Sequence, residues 1–554
     1  MVCKEWGYNI LPKILDFQYN INSLPMWKHL LRFKRLAGVR FTYTLNSETM
    51  PIYFSPDVSI VLDQIESINI ETRLEQVPKP LLKTPRLKAM TILFQIHHAQ
   101  KEIEKLKTLT ADGLILNLES FSMCLLGEEE EDPLEIKLDL RELAFYLLNS
   151  NIESLDFYQH YQLRCNLVGF QHFAMLPKLT TVLLEYVSID SNSILGFIEN
   201  TPGLRQLYLF KILIRDGKTN TYDEIFTRIC QLNRLEVLEI ENGDMTLGSL
   251  VKGLNDSQSL VSIELRYFNL LASTEQQYKG ERITNRHLKS LKLFYTKFPP
   301  IEKQWLVYDL WNGLSSIETI DTNDEELIYD SINRYHFKTV TIVHMSIHQF
   351  NSKAIGNVIQ LNLPQLENIM LRENPLNEST TSSIALADKN RYFMDIIEAL
   401  QHNKSLKKLT IGFMVGYEMA IKFLQMKHPS IAVIGFKYVV GWEIQEFISA
   451  LIGNQNIQDI SVSNIYTMEG RRESVDRFYQ QLSKLINSKS NLRYLFLRQP
   501  EHHFSYPTDT TISQKTLQEF REAINNNYQH LFHLYLTTRL PEIKQILNEY
   551  TIYN

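Results

Sequence analysis

The residues best suited to hold a metal are two adjacent histidine pairs, His97–His98 and His502–His503. Neighbouring residues of a strand point to opposite faces, so such pairs chelate poorly and read as surface histidines. The four cysteines, Cys3, Cys124, Cys165 and Cys230, are scattered and form no CxxC pair. That spacing supports neither a zinc knuckle nor a disulfide framework, and it fits a reducing compartment. Carboxylates are plentiful, yet their densest run, Glu128 to Asp132 before Pro133, reads as a solvated loop. The phosphate loop GxxxxGK[ST], the dinucleotide fingerprint GxGxxG, and the HExxH and GxSxG motifs do not occur. The sequence therefore supplies no catalytic residue, no metal ligand and no cofactor site, and its expected role is not that of an enzyme.

Charge points the same way. The formal net charge is -6, without the basic excess that nucleic acid demands. Lys28, Arg32, Lys34, Arg35 and Arg40 alternate with Leu30, Leu31, Phe33 and Leu36, as on the surface of an amphipathic helix. No apolar run approaches the roughly 20 residues needed to cross a bilayer, and charged residues interrupt the first 35 positions, where a signal peptide would be apolar. The expectation is a soluble cytoplasmic or nuclear protein that binds neither nucleic acid nor membrane.

The elements that must position any working side chain come from a repeat. An apolar, two variable, apolar, one variable, apolar pattern recurs at Ile65-Ile68-Ile70, Leu87-Met90-Ile92, Ile152-Leu155-Phe157, Leu179-Val182-Leu184 and Leu204-Leu207-Leu209. It continues at Leu235-Leu238-Ile240, Leu260-Ile263-Leu265, Leu288-Leu291-Leu293, Phe337-Val340-Ile342, Leu366-Ile369-Leu371 and Leu406-Leu409-Ile411, with a degenerate copy at Ile317-Ile320-Thr322. Ile431-Ile434-Phe436, Ile457-Ile460-Val462, Leu492-Leu495-Leu497 and Leu531-Leu534-Leu536 complete it. The last two apolar residues of each copy stand two apart and share one strand face. Between copies, sets such as Ile194, Phe197 and Ile198, or Phe393, Ile396, Ile397 and Leu400, have helical spacing. One unit alone exposes its apolar strand face and helix stripe, and stacking buries both.

This pattern resembles the leucine-rich-repeat proteins of the helix-rich, ribonuclease-inhibitor-like kind. The resemblance runs from about Ile65 to Leu536, although the asparagine that often follows LxxLxL is mostly missing. It implies an α/β solenoid with parallel strands on a concave face and helices on a convex one. The start of the chain, Met1-Val2-Cys3-Lys4-Glu5-Trp6-Gly7-Tyr8-Asn9-Ile10-Leu11-Pro12, resembles the last part of an F-box. The match covers about a dozen residues and does not include the earlier F-box helices with their leucine-proline opening. F-box proteins with leucine-rich repeats are substrate receptors of cullin-based ubiquitin ligases. The resemblance thus implies a Skp-type adaptor and a cullin as partners, with Val2, Cys3 and Trp6 on the adaptor. The alternative is a stand-alone repeat scaffold or inhibitor with no ubiquitin role.

The expected organisation is a helical F-box-like remnant or cap over 1–40, irregular repeats with an acidic loop over 41–150, and a solenoid over 151–554 that ends in a capping helix opened by Leu540-Pro541. Within that frame Thr108 to Leu148 reads as irregular, and Ser379 to Lys389 as a loop. A protein substrate should meet the concave face, where the variable positions of each strand project. There the sequence offers Tyr208, Phe210, Glu239, Glu241, Glu264, Arg266, Lys292 and Phe294, and nearer the end Tyr494, Phe496, Arg498, His533 and Tyr535. Glu239, Glu264 and Lys292 are expected to form one lateral row.

Overall fold

A computed structural model describes residues 18–22, 40–47, 49–53, 64–82, 84–95, 98–111, 117–126, 136–160, 165–215, 222–271, 282–294, 318–322, 338–344, 352–373, 383–441, 443–466, 475–498, 512–527, 531, 533–536 and 540–549. The chain divides into two compact units. One holds residues 1–288 with 295–303 and 310–312, and the other holds 289–294, 304–309 and 313–554.

In the first unit the strands β1 (Gln18–Ile21), β2 (Arg40–Leu45), β3 (Ile65–Ile70), β4 (Ala89–Gln95), β5 (Ser120–Leu126), β6 (Ile136–Asp139), β7 (Ser154–His160) and β8 (Cys165–Val168) are followed by β9 (Thr181–Glu185), β10 (Val187–Ile189), β11 (Gln206–Phe210), β12 (Leu213–Ile214), β13 (Val237–Thr246) and β14 (Ser262–Leu271). β1 to β5, β7, β9, β11, β13 and β14 pair in that order, all parallel, into one wall. The short strands β6, β8, β10 and β12 form a second parallel ladder.

Register explains the wall. Leu207, Leu238 and Ile263 are partners across three strands, as are Leu209, Ile240 and Leu265. All six are at most 1% exposed, and the first residues of their copies, Leu204, Leu235 and Leu260, are buried with them. Helices close the opposite side of this core. Ser191–Asn200 turns Ile194, Phe197 and Ile198 inward, and Asp190 caps it by accepting the Ser193 amide at 2.8 Å. Leu247–Asp256 buries Leu247, Leu250, Val251 and Leu254, with Thr246 accepting the Ser249 amide at 3.2 Å. Consecutive helices pack on one another as well as on the strands.

The second unit repeats this plan with β15 (Ser290–Phe294), β16 (Thr319–Thr322), β17 (Thr339–His344), β18 (Asn368–Glu373), β19 (Lys408–Gly416), β20 (Val433–Val440), β21 (Asp459–Tyr466), β22 (Tyr494–Leu497) and β23 (His533–Leu536), parallel and in sequence order. Its helices include Ser383–Leu400, Tyr417–Met426, Ile444–Gly453 and Val475–Ser488, and Pro541–Glu549 follows the last strand. Leu291 lies on β15 and is 1% exposed. The fold is thus the leucine-rich-repeat α/β solenoid that the LxxLxL pattern predicts.

Three expectations need correction. Thr108 to Leu148 is not irregular throughout: β5 is a full wall strand with Leu118, Phe121 and Met123 buried in the signature positions. Ser379 to Lys389 is not a loop throughout, because a helix runs from Ser383 to Leu400. Residues 1–40 contain a strand, β1, and the chain next to it contributes another, β2, with Phe41, Tyr43 and Leu45 buried. The acidic run, the basic stretch up to Lys34 and Arg35, and His97, His502 and His503 lie outside the described residues.

Two polar columns run through the second unit. Three positions before the first apolar residue of its copy stands a buried polar side chain: Asn403, His428, Asn454 and Lys489. Asn403 Oδ1 accepts the Ser405 and Leu406 amides at 3.1 and 2.9 Å, and its amide donates to the Ile359 carbonyl of an earlier repeat at 2.8 Å. Asn454 does the same for Asn456 and Ile457 at 3.0 and 3.2 Å, donating to the Leu424 carbonyl at 2.8 Å. His428 Nδ1 accepts the Ser430 and Ile431 amides at 3.3 and 3.2 Å. Lys489 Nζ donates to the Asn454 carbonyl, and burial brings its pKa down to about 8. Asn403, His428 and Asn454 thus satisfy turn amides, and Lys489 a turn carbonyl, that would otherwise be buried without partners.

The second column lies at the surface, just ahead of the strands. Lys289, Glu318, Lys338, Glu367 and Lys407 follow one another along the stack, each amide after the first donating to the carbonyl of the residue before it. Lys289 and Lys338 approach Glu318 at 3.7 and 2.7 Å, and Lys407 pairs with Glu367. The Lys338 ammonium beside Glu318 holds that carboxyl below the usual range.

Candidate functional site

The variable positions of each strand project away from the core, so the wall presents them in rows. In the first unit Tyr208, Glu239 and Glu264 are register partners, and so are Phe210, Glu241 and Arg266. The two rows meet in one network. The Tyr208 and Phe210 rings lie 6.1 Å apart. Arg266 pairs with Glu264, reaches Glu239 at 3.7 Å, and holds its guanidinium 5.5 Å from the centre of the Phe210 ring. Burial opposes the charge on Arg266, but Glu264, Glu239 and Glu241 outweigh it and leave its pKa above the ordinary value. Glu264 is 2% exposed, a charge tolerable there because it is paired. At the next position Lys211 bonds to the Tyr186 hydroxyl, sits 4.5 Å from that ring and approaches Glu241 at 3.4 Å. The Tyr186 bond and Glu241 raise its pKa. Burial, with Glu239 adding, raises that of Tyr208.

One feature of this wall escapes sequence reading. Tyr186, Lys211, Asn242 and Tyr267 each follow the last wall residue of their strand segment, and each has positive φ, at 55°, 51°, 63° and 50°. Non-glycine residues avoid this left-handed region at a cost of about 1 kcal/mol or more each. The kink turns the chain while keeping the ladder: the Tyr186 amide donates to the Phe210 carbonyl at 2.9 Å, and the Lys211 amide to Glu241 at 3.0 Å. Strain in four successive repeats along one line marks the edge of the Tyr208, Phe210, Glu239, Glu241, Glu264 and Arg266 surface. The four residue types share nothing that a pattern search would catch.

The wall of the second unit has a different character. Lys292 is in register there with Asp321, so the lateral row joins Glu239 to Glu264, while Lys292 belongs to the other unit. Tyr494 and Phe496 are half-buried on β22, and Arg498 is exposed beyond it. Tyr535 is the register partner of Phe496, and His533 of Tyr494. Phe294, His533 and Tyr535 sit on strands, but their side chains lie outside the described residues, as do Val2, Cys3 and Trp6 entirely. Between these ends the wall carries small groups. A Cβ on Gly435 would come within 3.1 Å of Ser461 Oγ and 3.3 Å of Thr410 Cγ2, and one on Gly412 within 2.7 Å of the Leu371 carbonyl. Arg372, Lys408 and Lys437 stand on the same strands, with Asp459 among them.

Among the described residues no group of three or more His, Cys, Asp or Glu side chains is placed to hold a metal ion. None of the described helices is long and apolar enough to cross a membrane. Cys124, Cys165 and Cys230 are buried, and burial pushes the thiols of Cys124 and Cys165 up to about 11 and about 12.

No protein-family model matches the chain, and no curated protein matches it. Among solved structures it is similar to the yeast Rad7–Elc1 complex, with 15% identity over 69% of this chain and 87% of that one, at a TM-score of 0.35. It is also similar to the internalin InlF of Listeria monocytogenes, with 13% identity over 67% and 89% of the two chains and a TM-score of 0.31. The leucine-rich-repeat protein LIC12759 of Leptospira interrogans shares 12% identity over 91% of both chains, with a TM-score of 0.28. Scores this low carry no argument, and the fold rests on the strands and helices themselves.

Proposed function

We propose that the protein is a recognition scaffold that holds a partner protein on its strand wall and contributes positioning, not chemistry. The observation that carries this reading is the network of Tyr208, Phe210, Glu239, Glu241, Glu264 and Arg266 on neighbouring strands. A parallel wall sets side chains from successive repeats about 4.8 Å apart on rigid elements. Such a surface loses little freedom on binding, and aromatic residues and arginine are the types that dominate binding energy. The wall is preferred to the helical side as the place where a substrate docks.

The finer reading is the substrate-binding subunit of an F-box ubiquitin ligase. It is supported by the Val2-Cys3-Lys4-Glu5-Trp6 segment ahead of a repeat array. The adaptor would fix one end, and the wall would present the substrate to the charged conjugating enzyme. Affinity purification of the full chain should then recover a Skp-type adaptor and a cullin, identified by immunoblot. The double change Val2→Ala, Trp6→Ala should weaken that recovery without altering unfolding of the repeats. Replacing Tyr208, Phe210, Glu239 and Glu241 together should abolish substrate capture while the circular dichroism spectrum and adaptor recovery stay as they were. If no adaptor is recovered, the ubiquitin reading is wrong and the stand-alone scaffold takes its place. If capture depends instead on Tyr494, Phe496, Arg498 and Tyr535, the recognition surface is the other end of the repeats.

A further inference from the structure

We propose that the wall of the first unit takes a basic segment of a partner protein, whose arginine or lysine side chains exchange with Lys211 and Arg266 on the wall carboxylates. This rests on the wall being the recognition surface and adds the chemistry of what it recognises. Carboxylates outnumber cations on this part of the wall: Glu185, Glu239, Glu241 and Glu264 stand against Arg266 and Lys211. A surface with that balance attracts a positive partner and repels an acidic one.

The second observation is geometric. The wall already displays two cation sites, each a ring beside a carboxylate, and each filled by a side chain of its own. Phe210 with Glu239 and Glu264 receives the Arg266 guanidinium, 5.5 Å from the ring centre. Tyr186 with Glu241 receives the Lys211 ammonium, 4.5 Å from the ring centre and 3.4 Å from the carboxylate. Cations over aromatic faces beside carboxylates are held by both the ring quadrupole and the charge. One site holds a guanidinium and the other an ammonium, so the wall presents a place for each cation type.

The third observation concerns access. The Lys211 and Arg266 side chains are 36% and 37% exposed, whereas those of Glu241 and Glu239 beneath them are 11% and 21% exposed. The cations form the outer layer and the carboxylates the inner one. Lys211 has a flexible stem and can move its ammonium into water at little cost. A partner cation therefore enters by exchange: it takes the place of Lys211 between ring and carboxylate, and the excess of carboxylates over cations on this part of the wall supplies the net attraction. Exchange also predicts a direction that simple accumulation of acid groups does not. Removing the internal competitor should tighten binding.

The test uses the full chain and a fluorescent peptide of alternating arginine and glycine, compared by anisotropy at low salt with the same peptide carrying citrulline for arginine. The arginine peptide should bind at least about tenfold more tightly than its neutral counterpart, as expected for charge-assisted pairs. Glu239→Gln with Glu241→Gln should weaken it by about tenfold, and Lys211→Gln should tighten it several-fold. Thermal unfolding of each variant checks that the wall is intact, and Glu239→Gln alone serves if the double change does not fold. Equal binding of the two peptides, insensitivity to the glutamate changes, or weaker binding in Lys211→Gln would each overturn the proposal. If Tyr208→Ala with Phe210→Ala abolishes capture of a protein partner that the glutamate changes do not affect, the wall remains the recognition surface and only its proposed preference for basic segments fails.

Discussion

The two units repeat one plan, turn caps and surface charge pairs included, and differ most in what their strand walls display. The first puts its irregularity on the strand wall: four residues with positive φ, a buried glutamate and two cations stacked on rings. The second unit's wall has Gly412 and Gly435 where side chains would collide, a register shift between Ile411 and Met414, and one cation over a ring, Lys437 at 5.0 Å from the centre of Tyr438. Buried polar groups hold that unit's turns at Asn403, His428, Asn454 and Lys489, as Asn285 does in the first unit, and paired charges run ahead of the strands in both units, with Lys88–Glu119 and Arg205–Glu236 in the first. Glu373 and Lys389, both 8% exposed and 2.7 Å apart, tie a strand of the second unit to the helix behind it. Strain and unbalanced charge on an exposed face raise free energy without holding the fold together, so they point to use. Satisfied groups inside turns point to maintenance. The difference teaches where to look for a partner and where to look for stability.

The comparison breaks if core changes act alike and polar changes do not separate. Leu291→Asp is expected to have the largest effect, several kcal/mol, because it buries a charge at a 1% exposed position. Chemical denaturation measures this, and an unchanged midpoint would remove Leu291 from the core. Next comes Asn454→Ala. It leaves the Asn456 and Ile457 amides and the Leu424 carbonyl without their side-chain partner, and should cost about 2 kcal/mol with little effect on binding at Tyr208 and Phe210.

His428 sharpens the contrast through pH. Burial holds its pKa below the ordinary 6.5, against the pull of the Asn403 and Leu400 carbonyls, and its Nδ1 must stay unprotonated to accept two amides. The unfolded chain therefore takes up the proton first as pH falls. Stability from this group is complete above 6.5 and declines below it until the folded-state value is passed. Thermal unfolding between neutral and mildly acidic pH should show that decline, and His428→Asn should flatten it while retaining the cap, as Asn403 and Asn454 do. A decline that persists in the variant would assign it to other groups.

Smaller effects are expected at exposed positions. Tyr267→Gly removes a side chain from the left-handed region and should stabilise the first unit by up to about 1 kcal/mol, offset in part by the unfolded-state freedom of glycine. Destabilisation instead would mean that the Tyr267 ring contributes more than its backbone strain costs. Lys407→Gln should leave the melting temperature unchanged at physiological salt, since its pair with Glu367 is solvent-exposed.

The core was largely legible. The last two residues of each LxxLxL copy stand on a strand, the first mostly just ahead of it, and those with described side chains are buried, because strand period and repeat length leave few other ways to hide so many paired apolar residues. β5 was missed because Phe121 and Met123 fill the leucine positions beside an acidic run. The turn caps were also written in the sequence, but ahead of each strand, whereas the familiar asparagine comes after it. The wall residues Tyr208, Glu239, Glu264, Phe210, Glu241 and Arg266 followed from alternation alone, and register brought them together. What alternation cannot supply is φ. Tyr186, Lys211, Asn242 and Tyr267 acquire theirs from the ladder they continue, not from their own preferences.

The alternating column of Lys289, Glu318, Lys338, Glu367 and Lys407 bears on how such a chain can change its length. Repeat arrays grow and shrink by duplication and loss of whole modules. Excising the module that carries Lys338 would bring Glu318 against Glu367, and copying it in place would set two lysines side by side. Losing or doubling two neighbouring modules preserves the order of signs. The column therefore has a parity: only even steps of gain or loss keep every lysine beside a glutamate.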